Sequence, residues 1–272
     1  MEGAPVQDDV KREHGMTTDL TTLKKLVADG SRVLDAAGVA DVFGHLSIRV
    51  PDSDRFLLPR AMSPGLVTDA DVLTMNWDCQ VVEGEGRPFI ETVIHSSIYR
   101  ARPDVHSVAH FHSPMAIVLS MVGQGIRPVA GSNSTLAFLN GTPVYDEMTP
   151  TMTTLITTRE QGESMAKLLG DCRAVLLKSH GSVVVGSDVK ETCLRSFNLE
   201  RLARLQVFAE MVGNPQYLSP EEVEKVRKEL KQGNPMARGK GAERFWDYFL
   251  SKSSLRGEPV TYAEPAMFDE IL

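Results

Sequence analysis

Two histidines stand two apart in Val108-Ala-His-Phe-His-Ser-Pro114. The apolar run before them, residues 105–109, reads as a short strand, and residues i and i+2 of a strand share a face. His110 and His112 can then reach one point, which is how a strand offers two nitrogen ligands to a metal. Alone the pair is weak evidence, because paired histidines also serve as polar edge residues. A third, His180, lies in Ser179-His-Gly181, a turn between apolar strands expected at 173–178 and 182–185. Three neutral imidazoles with an open fourth position form the arrangement of a catalytic divalent metal site. Glu91 is the best additional carboxylate, an acid/base candidate in the first turn of a helix expected at 89–102. His95, four residues on, would share its face. His45 and His95 are supporting candidates. His106 is at an even offset from His110, so spacing alone does not exclude it.

These groups need a scaffold of mixed strands and helices. Residues 19–37 carry apolar positions at helical spacing, with Gly38 to end the helix and Gly30 as a mild blemish inside it. Leu46, Ile48 and Val50 alternate as a strand, which sets His45 and Ser47 on its other face. Ser47 and the Gly44 turn could present donors to an anion. A hairpin leads to a strand at 55–58, then to the loop Leu58-Pro-Arg-Ala-Met-Ser-Pro-Gly65. Arg60, the cation of that loop, is a candidate for pairing with a carboxylate. Further strands are expected at 72–77, 80–83, 126–129 and 144–145, and helices at 115–122, 159–169, 188–213 and 221–232. A last helix at 242–250 would dock through Phe245, Trp246, Tyr248 and Phe249. The pattern predicts one α/β domain over 17–252 around a mostly antiparallel sheet. A frayed tail is expected at 1–16, and a tail at 253–272 that could cross to a neighbouring subunit.

Composition narrows the function classes. A hydrophobic content of 42% and a charged content of 24% are those of a soluble globular protein. The net charge of −7, without a basic cluster, argues against nucleic acid as a partner. Cys79, Cys172 and Cys193 are widely spaced and fit reduced thiols in a cytoplasmic protein. No apolar run approaches the ~18 residues of a membrane span.

Over roughly residues 20–208 the chain resembles the class II aldolase/adducin family. The motifs that carry the likeness are Gly44-His-Leu-Ser47, Glu91-x-x-x-His95, Arg102-Pro-Asp104, His110-Phe-His112 and Ser179-His-Gly181. They are specific together, not singly. The resemblance implies a three-layer α/β/α fold and one divalent metal ion per subunit on His110, His112 and His180. Zinc or manganese is the usual ion, with iron and cobalt as further candidates. It also implies Glu91 as acid/base and a C4 homotetramer with active sites between subunits.

Departures from the family's sugar-phosphate aldolases are informative. His45 replaces the asparagine of their phosphate turn. Phe89-Ile90 replaces a serine pair before the glutamate, and the Arg60 loop replaces a Thr-Gly pair. This is similar to the family's decarboxylase branch, which acts on hydroxylated aromatic dicarboxylates. The expectation is a decarboxylase of a small carboxylate. Glu91, His45 or His95 would handle the proton, and Arg60, Ser47, Ser63 and Phe89 would meet the substrate. Three alternatives stay open: an aldolase for a non-phosphorylated hydroxy-acid or aldehyde, a non-haem iron oxygenase, and a non-catalytic adducin-like module.

Overall fold

The structure, a computed structural model, describes residues 19–147, 153–232 and 240–254. The tail expected at 1–16 lies outside the described residues, as does the tail expected at 253–272 apart from residues 253 and 254, which continue the last helix. Strands β1 (His45–Arg49), β2 (Arg55–Pro59), β3 (Val72–Asn76), β4 (Val81–Glu83), β5 (Ser107–Phe111), β6 (Val144–Tyr145), β7 (Ala174–Leu177) and β8 (Gly181–Gly186) form one sheet in the order β4-β3-β2-β1-β5-β8-β7-β6. Every neighbouring pair is antiparallel except β6–β7. The helices are α1 (Leu20–Ala36), α2 (Val93–Ala101), α3 (Pro114–Met121), α4 (Arg159–Leu169), α5 (Val189–Val212), α6 (Pro220–Lys231) and α7 (Lys240–Ser254).

Strand alternation divides the interior in two. Leu46, Ile48, Leu57, Ala109, Phe111, Leu176 and Val184 face a layer built from α1, α3, α5 and α7. Their neighbours Phe56, Leu58, Val108, Val175, Leu177 and Val183 face α2 and α4. The result is the three-layer α/β/α arrangement that the family resemblance implies. Gly30 proves to be a packing requirement, because a Cβ there would lie 2.6 Å from Val189 Cγ1 at the start of α5. Phe245 and Trp246 dock α7 on this layer as expected, and Tyr248 stays exposed.

Three expected elements shift. β5 spans 107–111, so His110 lies within the strand and His112 just beyond it. Residues 126–129 form no ladder strand: Pro128 has no N–H to give, and the segment makes one isolated bridge, Val129 to Tyr217. α2 begins at Val93 rather than at residue 89. The chain before it is wound tightly, with Thr92 N–H on Phe89 C=O, Ile94 N–H on Glu91 C=O and His95 N–H on Thr92 C=O. Such i→i+3 winding turns Glu91 away from the face of His95. The shared face expected for Glu91 and His95 from their i,i+4 spacing does not form; both side chains are buried, on different partners.

Candidate active site

The register brings the site to one end of the sheet. His45 at the start of β1 lies opposite His110 near the end of β5, and Leu177 at the end of β7 opposite Gly181 at the start of β8. His180 occupies the turn between those last two strands, beside Ser179 at φ 59°. The rings of His110, His112 and His180 stand 4.9–5.2 Å apart. Glu91 Oε2 lies 3.5 Å from His110 Nε2 and 3.4 Å from His180 Nε2. One ligand atom from each of these four residues falls within 4.8 Å of the others.

The outer hydrogen bonds set the tautomers. His110 Nδ1 is 3.2 Å from the Ser182 carbonyl, and His180 Nδ1 is 3.2 Å from the Thr154 carbonyl. A carbonyl only accepts, so Nδ1 carries the proton and Nε2 presents a lone pair. Both Nε2 atoms are buried without a hydrogen-bond partner among the described residues. Lone pairs aimed at one another and at a carboxylate repel unless a cation lies between them. A divalent ion fits this donor set, with a carbonyl behind each of the two rings, as metal-binding histidines characteristically have.

Electrostatics agree. Burial, then the neighbouring histidines, hold His110 well below the usual histidine value, although Glu91 acts against this. Burial and His180 also lower His112. Glu91 is only 6% exposed, and burial alone would raise it; His180, His110 and the Ile156 N–H, which donates to Oε1 at 2.9 Å, hold it below the ordinary carboxylate value. His180 moves up because Glu91 outweighs burial.

His45 and His95 are not part of the four-residue cluster. His45 Nδ1 and His95 Nε2 lie 2.6 Å apart, and His95 Nδ1 is 2.6 Å from Ser47 Oγ. Ser47 is fully buried and also touches Tyr99 OH at 2.7 Å. The expected role of Ser47 as an anion donor therefore fails, because its hydroxyl is engaged inside the protein. The Phe89 ring lies 4.4 Å from that of His45. Arg60 follows β2, and the register that pairs Ile48 with Leu57 carries it level with His45. Asp71 braces its Nε at 2.9 Å. Ser63 precedes the short turn Pro64–Leu66 without capping it, and no hydrogen bond joins it to the histidines. His106 is exposed, outside the site.

Sequence reasoning missed the hydroxyl of Tyr99, which lies inside the helix expected at 89–102. It also missed Asp71, the Ile156 amide and the Ser182 and Thr154 carbonyls. Backbone donors and acceptors have no residue-type signature, so no local signal could have found the last three.

The buried imidazoles make stability pH-dependent. Burial, then His110, lowers His95 to about 3 from 6.5, and burial, then His95, lowers His45 well below 6.5. Both are neutral when folded and take protons near 6.5 when unfolded. Their contribution is complete above 6.5 and is lost as pH falls from there toward the folded values. Each contributes a slope of about 1.4 kcal/mol per pH unit. Urea midpoints are expected to fall steadily below pH 6.5; a flat profile would contradict the buried neutral pair.

The profile for the "Class II Aldolase and Adducin N-terminal domain" matches residues 25–207. A 3,4-dihydroxyphthalate decarboxylase from Terrabacter sp. (strain DBF63) is 32% identical over 212 residues, 73% of this chain and 86% of that protein. Human beta-adducin is 31% identical over 188 residues, 65% of this chain but 24% of its own length. In structure, the L-fuculose 1-phosphate aldolase from Glaciozyma antarctica PI12 superposes with a TM-score of 0.73 at 20% identity, covering 90% of this chain and 97% of that one. No helix among the described residues is long and apolar enough to cross a membrane. The matched profile, which covers more than half of the chain, establishes that the chain belongs to the class II aldolase and adducin family.

Proposed function

We propose that the protein is a divalent-metal-dependent lyase that decarboxylates a hydroxylated aromatic carboxylate. The observation that carries the metal reading is the convergence of orphaned Nε2 atoms on Glu91. His110, His112 and His180 would hold the ion, with Glu91 within reach of it. Bound there, a divalent metal supplies Lewis-acid withdrawal of electron density from a substrate oxygen next to the departing carboxylate. The choice of decarboxylation is supported by the decarboxylase relatives and by Phe89, whose ring beside His45 offers an apolar face to an aromatic substrate.

The remaining steps belong to the chain's own residues. Arg60, braced by Asp71 and level with His45, would pair with a second carboxylate and set orientation. Ser63 would be a further polar contact in the same loop. Glu91, ionised in the free protein, would take the phenolic proton of the substrate and pass it to the ring carbon bearing the carboxylate. The carbon–carboxylate bond then breaks, its electron pair stays with the ring, and carbon dioxide leaves. His45 would face the substrate from the other side, with His95 behind it.

Phe43 and Ile90 are 61% and 69% exposed, and the Phe43 ring is 5.8 Å from that of His112. Such apolar exposure at the mouth of a site supports assembly with neighbouring subunits, a C4 homotetramer in this reading. The test of function is the product formed from ortho-hydroxy aromatic carboxylates: carbon dioxide, rather than an aldehyde or uptake of oxygen.

A further inference from the structure

The mechanism above uses one edge of His45. The other edge begins a line of buried polar groups that runs away from the metal ligands: His45 Nδ1 to His95 Nε2 at 2.6 Å, His95 Nδ1 to Ser47 Oγ at 2.6 Å, and Ser47 Oγ to Tyr99 OH at 2.7 Å. All four residues are at most 4% exposed. Water is excluded along the line, so the protons within it must be satisfied by its own members.

The line has only one self-consistent direction. Its far end is the Tyr99 hydroxyl, on a residue only 1% exposed. No carbonyl or carboxylate accepts from that hydroxyl among the described residues; its hydrogen-bonding partner is Ser47 Oγ. The phenol proton therefore goes to Ser47. A serine hydroxyl has one proton, and with Tyr99 donating to it, that proton goes to His95 Nδ1. His95 is then an acceptor at Nδ1, and as a neutral imidazole it carries its proton on Nε2. That N–H donates to His45 Nδ1, and the proton of His45 must sit on Nε2. The reverse direction would leave the buried Tyr99 O–H without an acceptor, an uncompensated loss. Burial favours the neutral form of both imidazoles.

We propose that Tyr99, Ser47 and His95 are positioning residues that lock His45 as its Nε2–H tautomer, so that it offers a fixed neutral hydrogen-bond donor to an oxygen of the substrate beside the metal ligands. His45 Nε2 lies across the ring from the nitrogen that meets His95, on the side of the ring left free by that contact. The ring sits between Phe89 at 4.4 Å and His110 at 5.1 Å, centroid to centroid, which places the donor where a planar anion held at the metal would lie. The division of labour is that Glu91 handles the proton and His45 holds an oxygen without titrating. The assignment of His45 to substrate rests on the lyase reading; the direction of the chain does not.

Neutron diffraction from crystals of the deuterated, metal-loaded protein tests it directly. The expected density has deuterium on His45 Nε2 and on His95 Nε2, with none on either Nδ1, and the Ser47 deuteron pointing to His95. In Tyr99→Phe, which keeps the ring but frees Ser47 to turn, deuterium should divide between the two nitrogens of His95 and of His45. A merely structural Tyr99 would leave those occupancies unchanged. Deuterium on His45 Nδ1 in the wild type, or an unaltered single tautomer in Tyr99→Phe, overturns the proposal. If the deuterons lie as stated but no carbon dioxide is released from any aromatic carboxylate, the chain stands and the lyase reading falls.

Discussion

Replacing Glu91 by Gln is expected to leave the metal in place and lower turnover by about 10²–10⁴-fold, the range that a positioned acid or base contributes. The substitution keeps the volume of a side chain that is 6% exposed, and its amide oxygen can still accept from the Ile156 N–H. What it loses is the charge beside His110 and His180 and the capacity to carry a proton. Metal content measured alongside kcat separates the two roles open to this residue. Full metal with a collapsed kcat identifies the acid/base. Full metal with unchanged kcat removes Glu91 from the chemistry, and loss of metal makes it a ligand first.

The second large effect is loss of the metal. His110→Ala removes a buried nitrogen whose orientation is fixed by the Ser182 carbonyl. The fall in metal affinity should exceed the ~10–100-fold that follows loss of a supporting partner. Gly181→Ala should produce a similar loss although glycine donates nothing. A Cβ there would lie 2.6 Å from the Phe111 carbonyl oxygen, 3.0 Å from His112 Cδ2 and 3.3 Å from His110 Cε1. The first contact is with backbone, which cannot yield cheaply, so the strand end that carries both histidines must shift. Metal content after dialysis, with a thermal melt of each variant, checks this. Retention of a full equivalent by both variants would place the ion elsewhere.

Local rules make part of this site readable in the sequence. His110 and His112 were legible because strand alternation is a local rule. His180 was legible because a turn histidine follows an apolar strand. The α/β class and the mostly antiparallel sheet were legible because apolar positions alternate along the strands and recur at helical spacing, whereas the three layers came from the family resemblance. The start of α2 was not. The tight winding at 89–92 depends on Glu91 being drawn to His110 and His180 from other parts of the chain, and no helix propensity encodes that. Ser47 was misread for a related reason. Its face of β1 was assigned correctly, but the groups that occupy that face, His95 and Tyr99, arrive on α2. Arg60 was picked out as a lone loop cation, whereas its brace, Asp71, comes from beyond β2, at the start of β3.

The product formed decides whether the His110, His112 and His180 cluster supports decarboxylation. Metal-loaded protein should release one carbon dioxide per molecule of an ortho-hydroxy aromatic dicarboxylate consumed, with no aldehyde formed and no oxygen taken up, and stripping the metal should abolish the release. Aldehyde from a hydroxy-acid, stoichiometric oxygen uptake, or carbon dioxide release indifferent to the metal would contradict it.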